Sequence, residues 1–314
     1  MIEFLMAGML LTAPGPAQDP APQEAVSLED VTVTGRPLDR LIRDFVSEVA
    51  EPNRHRGLAR WNDRICVGVA NLRQETAQYL ADRISTVAED VGLTPGAPGC
   101  APNVLVVATD DAGALARSLV GHRSRAFRMG GAGMDRGSAA LRDFVGTDRP
   151  VRWWQMSMPT DSQTGGRAVR IPGECANSCI NAPDFAPQIE VFAMSRLSTQ
   201  IVDNIIRAVV LVDIDQVSEV SVLQLADYIA MVSLAQIDPD ADTSGYATIL
   251  NLFRDPEGAS HLTDWDMAYL GGLYGAERNQ ANWRAGRSDI VQTIRRQHDR
   301  LREREPAAEA ASVQ

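Results

Sequence analysis

The period of the apolar positions changes several times along the chain, and each change predicts an element. Leu38, Leu41, Ile42 and Phe45 share one helical face in "PLDRLIRDFVSEVA", which predicts an amphipathic first helix. "ICVGVANL" and "NVLVVATDD" are apolar runs of strand length, and the intervening "RQETAQYLADRISTVAEDVGL" has helical spacing. Residues 65–109 therefore predict a β-α-β unit. "DDAGALARSLVGH" predicts a helix opened by an Asp cap, and a short helix follows the Gly-rich "RMGGAGMDRG". "PVRWWQMSMPTD" alternates as a strand, with "AVRIP" as its pairing partner; "QIEVFAMSRL" and "IIRAVVLVDIDQV" are further strand candidates. Residues 222–236 read as a buried helix, followed by the acidic loop "DPDADTSG" and the apolar turn "ILNLF". "LTDWDMAYLGGLYGA" and "RSDIVQTIRRQHDRLRERE" predict the last helices, and no repeat is present.

These elements predict an α+β (α/β) fold: a mixed sheet with an N-terminal β-α-β unit and a helix-rich C-terminal half. Residues 38–298 form the expected single α/β domain, with room for a sub-boundary near 150, and 299–314 read as a disordered tail. The apolar run Phe4–Leu11 is too short to span a bilayer and fits the core of a signal peptide. Residues 1–17 are read as that peptide, cleaved after Ala17 with Gly15 at the −3 position, although Glu3 stands where a basic residue is usual. Residues 18–37 read as a flexible linker rich in Pro, Ala and Gln, ending in a β-prone segment where Val31 and Val33 alternate with Thr32 and Thr34. The stretch "DVTVTGR", Asp30 to Arg36, resembles the TonB box of outer-membrane receptors, which implies docking by strand addition to a partner's sheet edge.

Composition narrows the function. Hydrophobic residues make up 45% of the 314 positions and charged residues 23%, both globular values. A net charge of −11 argues against nucleic acid, whose binding depends on clustered cations. All 30 basic residues are arginine. Four cysteines are an even number, consistent with export. A β-α-β unit returns its second strand beside its first, so Cys66 can reach Cys100, and Cys175 can close a short loop with Cys179. No segment beyond the amino terminus is long and apolar enough to cross a membrane, and the chain is placed in the periplasm or outside the cell.

Catalytic motifs are missing. The sequence has no Gly-x-Ser-x-Gly elbow, no His-Glu-x-x-His and no nucleophilic Cys context, and His55, His122, His261 and His298 are scattered. Gly131, Gly133 and Gly137 have the wrong spacing for a dinucleotide loop. Asp238, Asp240 and Asp242 alternate as in the first half of a calcium loop and are the metal candidates, but Thr243 and Ile249 stand where an EF-hand needs Gly and Glu. Trp153 and Trp154 suggest a carbohydrate platform, against which alternation buries one of the pair. No cofactor is called for.

The region from about Arg207 to Tyr274 resembles a family of secreted or lipid-anchored proteobacterial proteins of zincin-like architecture. "AVVLVDIDQV" resembles the edge strand, "VLQLADYIAMVSLAQID" the active-site helix, "ATILNLF" the turn beneath the metal and "LTDWDMAYLGGLYG" the final helix. A zincin needs two helix imidazoles one turn apart with a Glu, whereas Leu225 to Ala230 offer only Asp227. The resemblance implies a pseudo-enzyme that binds a protein or peptide partner in the cell envelope, with Asp227, Tyr228 and Asn251 as the binding residues. The alternatives are a metal-dependent hydrolase using Asp227 with Asp238 and Asp240, and a TonB-linked accessory protein using Asp30 to Arg36.

Overall fold

In the computed structural model, the described residues are 37–312 apart from 54–55, 129–133 and most of 170–194. The signal-peptide, linker and TonB-box readings, half of the Gly-rich loop and Cys179 lie outside them; of "QIEVFAMSRL", residues 188 and 192–194 lie outside, and the described remainder is not the strand expected from sequence.

The chain folds as an α+β structure. After helix α1 (Leu38–Val49), strands β1 (Arg64–Ile65) and β2 (Val67–Ala70) lead into α2 (Gln74–Asp90), β3 (Thr94–Pro95) and β4 (Val104–Thr109). Helices α3 (Ala112–His122), α4 (Ser124–Phe127) and α5 (Gly137–Gly146) come next, then the long strands β5 (Val151–Asp161) and β6 (Ile201–Asp213). Helix α6 (Val222–Leu234), a 3-10 turn (Ile249–Asn251), α7 (Asp264–Gly275) and α8 (Trp283–Ser312) complete the order.

Four strands form one sheet in the order β2-β4-β6-β5. The first three are parallel, with Val67 opposite Val104 and Val104 opposite Ala208, whereas β5 runs antiparallel to β6 with Val151 opposite Val212. Strands from either side of residue 150 thus pair directly, which leaves no sub-boundary there. β6 is internal, flanked by β4 and β5, so "AVVLVDIDQV" is not the edge strand that the zincin resemblance implies. Its unbroken buried run from Ala208 to Asp213 is what a strand covered on both faces requires.

Both faces of the sheet are covered. Ile42 and Phe45 of α1, Leu80 and Ile84 of α2, Ile229 of α6 and Ile294 of α8 join one core, which includes Trp153. Ala116 of α3, Phe127 of α4 and Phe144 of α5 pack on the other face against Trp154 and Leu211. Alternation therefore sends the two tryptophans to opposite faces but buries both, at 6% and 1% exposure, and no carbohydrate platform exists. Trp154 donates its indole N–H to the Phe127 carbonyl at 2.9 Å, so its one polar atom is satisfied.

Local signals set the helix ends. Asp111 caps α3 by accepting from the Ala114 N–H at 2.7 Å. Ser221 with Gln224, and Thr263 with Asp266, close reciprocal capping boxes on α6 and α7. Nine consecutive residues of α6, Ala226 to Leu234, are buried, as befits a helix wedged between the sheet and other helices. α8 runs to Ser312, through the stretch read as a disordered tail, where Ala and Glu favour a helix and Pro306 opposes it. α7 crosses α8 at Gly272, where a Cβ would lie 2.7 Å from the backbone N and Cα of Ile294.

Candidate functional site

A pocket of about 170 Å³ opens where the parallel strands end. Val151 of β5, which lines it, lies opposite Val212 near the carboxyl end of β6, the side on which open α/β sheets present their crevices. Its walls come from distant parts of the chain: Trp153 from β5, Tyr228 from α6, Ile237 and Pro239 from the loop after α6, and Leu250 and Phe253 from the 3-10 turn and its continuation. Arg149, Asp238 and Arg254 add charge to this apolar frame.

The aromatic walls hold one another edge to face. The Tyr228 ring lies 4.9 Å from that of Phe253 at 68° and 6.1 Å from that of Trp153 at 73°, geometries in which ring edges meet ring faces. The Trp153 indole N–H donates to the Ile237 carbonyl at 3.2 Å, tying β5 to the loop after α6. Burial pushes the Tyr228 phenol well above its ordinary value, against the opposing pull of Arg149 and Arg254, so the hydroxyl remains a neutral donor and acceptor at physiological pH.

The charges beside the pocket are balanced locally. Arg149 donates to Asp143 at 2.7 Å and to Asp240 at 2.5 Å. Burial works against its charge, yet the hydrogen bond and the charge of Asp143, with Asp240 beside them, hold it above its ordinary value. Arg254 approaches Asp242 at 3.5 Å and donates to the Ala241 carbonyl at 3.2 Å, and Arg136 lies 3.9 Å from Asp238. Each of the three aspartates proposed from sequence as metal ligands therefore faces its own arginine. They also shape the loop: Asp238 accepts from the Asp240 N–H at 3.0 Å, and Asp242 from the Ser244 hydroxyl at 2.7 Å. The Ser244 hydroxyl and amide hold the Asp242 carboxyl below its usual range. Among the described residues no three His, Cys, Asp or Glu side chains converge as a metal site, and the set Asp227, Asp238 and Asp240 is not brought together.

Of the three binding residues expected from sequence, only Tyr228 lines the pocket. Asp227 is fully buried and held by Arg83 of α2 through two bonds, at 2.6 and 3.1 Å, while also accepting the Leu262 N–H at 2.7 Å. It joins three segments and faces no groove. Asn251 accepts from the Thr243 hydroxyl at 2.7 Å and donates to the Thr243 and Tyr246 carbonyls at 3.0 and 2.9 Å, so it braces the loop behind the pocket.

Asp266, read from sequence as half of a capping box, does more than cap. It is fully buried and accepts from the Thr248 hydroxyl, the Ile249 N–H at 2.8 Å and the Thr263 N–H at 3.0 Å, fixing the 3-10 turn to α7. Burial raises its carboxyl above the ordinary value, with these donors opposing. The described histidines stay apart: the His122 and His261 rings bond to neighbouring backbone carbonyls of Ser118 and Leu262, and His298 lies edge-on to Trp265 at 6.0 Å.

Phe253, Arg149 and Arg254 are among the pocket residues that sequence reasoning missed, and Trp153 was singled out only for a surface platform. They are up to about a hundred positions apart and form no motif; only the aromatic character of Trp153 and Phe253 marks them. The Cys66–Cys100 disulfide forms as expected, with a Cα separation of 6.2 Å. Cys175 is also disulfide-bonded, and Cys179 lies outside the described residues. Comparisons with family models, curated proteins and solved structures return no match to this chain.

Proposed function

We propose that this is an exported, non-catalytic binding protein of the cell envelope that accepts one apolar side chain of a protein or peptide partner in the Trp153–Tyr228–Phe253 pocket. The single observation behind this reading is the match between the pocket's size and its lining. A volume of about 170 Å³ lies below the ~300–1,000 Å³ of sites for drug-sized ligands. It is close to the ~150 Å³ apolar cavity that takes up benzene, the size of a phenylalanine ring. Aromatic and aliphatic walls with a charged border reproduce the anatomy of an interface hot spot, an apolar socket inside a polar rim.

The Cys66–Cys100 disulfide supports the export half of the reading, because such bonds persist in oxidising compartments. No helix among the described residues is long and apolar enough to cross a membrane. The reading rests on this socket and not on the resemblance of residues 207–274 to zincin-like proteins, since Asp227 lies outside the pocket.

Selection of displayed random peptides on the purified protein tests the reading. Bound sequences should share one bulky apolar or aromatic residue and lose at least ~10-fold in affinity when it becomes alanine, the scale expected for a socketed anchor. Recovery of peptides with no common apolar residue would sink the reading.

A further inference from the structure

A second concavity of about 500 Å³ lies between α1 and α8, and its chemistry is opposite to that of the socket. Arg43 and Ser47 stand one turn apart on α1, and Arg284, Arg287 and Ser288 stand at helical spacing on α8, so both helices turn polar stripes toward one groove. Three guanidinium groups and two hydroxyls line it, and no carboxylate does. In a chain of net charge −11, that concentration of cations needs an explanation.

Three acidic groups of these helices have other partners. Asp39 pairs with Arg295 at 2.5 Å, Glu48 accepts from the Asp242 N–H at 2.8 Å, and Asp289 accepts from the Glu277 N–H at 2.8 Å. Asp44 is adjacent to Arg43 in sequence, an i,i+1 relation in which side chains do not face each other, and it does not line the groove. Among the described residues no carboxylate lies within ion-pair distance of Arg43 or Arg287. The Arg287 guanidinium donates to the Ser47 hydroxyl, which bridges the two helices across the groove.

We propose that this groove is a phosphoryl-binding site, for the oxygens of a phosphate ester. Guanidinium forks bind oxyanions bidentately, and Arg43 and Arg287 with the Ser47 hydroxyl, which accepts from Arg287 and keeps its own proton to donate, offer more donors than a carboxylate's two oxygens can use, whereas the Ser288 hydroxyl is spent on the Arg284 carbonyl at 3.0 Å. A volume of about 500 Å³ accepts a phosphate ester together with the group it carries. The ester has two possible sources, a soluble phosphomonoester or the headgroup of an anionic phospholipid, and both present the same oxygens.

Two arms test the site on the full chain. Titration calorimetry with glycerol 3-phosphate reports the soluble source, and co-sedimentation with phosphatidylglycerol against phosphatidylcholine vesicles reports the lipid source. Saturable binding in either arm is expected, weakened at least ~10-fold in the Arg43→Gln/Arg287→Gln double variant, since each charge-assisted hydrogen bond contributes about as much as one decade of affinity. Arg142→Gln, an exposed arginine outside the groove, is the control and should bind as the parent does. Arg43 is exposed and Arg287 half-buried, and an unchanged thermal midpoint verifies the fold of the double variant. Absence of saturable binding in both arms overturns the proposal. So does equal weakening by Arg142→Gln, which would reduce the effect to unspecific charge attraction.

Discussion

Arg83 grips Asp227 with two bonds, Nε to Oδ1 at 2.6 Å and Nη2 to Oδ2 at 3.1 Å, and so neutralises a carboxylate with no exposure of its own. Breaking a buried pair from one side strands the other charge, which is costly, whereas removing both charges is far milder. Arg83→Met should lower stability by about 3 kcal/mol, toward the lower end of the range for such pairs because the guanidinium is partly exposed. Adding Asp227→Asn to that variant should restore part of the loss, since the amide still accepts from Leu262 and carries no charge. Urea unfolding of the parent, Arg83→Met and the double variant measures this; a double variant less stable than Arg83→Met would show that the pair is not the source of the cost.

That pair also explains where sequence reading stopped. An acid at the middle of an apolar helix invites a functional role. Its true partner lies 144 positions away on α2, on a face whose charge pattern is ordinary. The β-α-β unit, the Asp111 cap, the Thr263–Asp266 box and the Cys66–Cys100 bond were legible because each depends on local spacing or on one crossover. The socket was not, because Trp153, Tyr228 and Phe253 meet only once β5, α6 and the turn after it are packed. The double burial of Trp153 and Trp154 was missed for a related reason: alternation assigns residues to faces but does not say whether both faces are covered.

Asp203 should make stability fall as pH rises. Burial raises its carboxyl above the ordinary value, with Arg56 at 3.0 Å opposing. Between the ordinary value and the raised one the native protein holds a proton that the unfolded chain has released, so this group's contribution declines as pH climbs through that window. Relative to the parent, Asp203→Asn should therefore gain stability as pH rises through that window, as read from thermal midpoints in a pH series. A difference that stays flat, or shrinks with rising pH, contradicts the assignment.

The Cys66–Cys100 bond closes a segment with a sequence separation of 34 that holds α2 and links the first two parallel strands of the sheet. By loop-closure entropy, Cys66→Ser/Cys100→Ser should cost about 3–4 kcal/mol. Midpoints in urea for the oxidised parent and the double serine variant give the value directly; equal midpoints would show that the bond contributes nothing to the native state.

The central claim is that the Trp153–Tyr228–Phe253 pocket receives an apolar side chain. Methyl NMR on protein labelled at isoleucine, leucine and valine tests it most directly, because Val151, Ile237 and Leu250 line the pocket. Titration with a selected peptide should shift those three methyl signals first and saturably. The shifts should vanish at the same peptide concentration in Phe253→Ala, which removes one wall. Shifts confined to methyl groups elsewhere, or unchanged binding in a folded Phe253→Ala variant, would contradict the account.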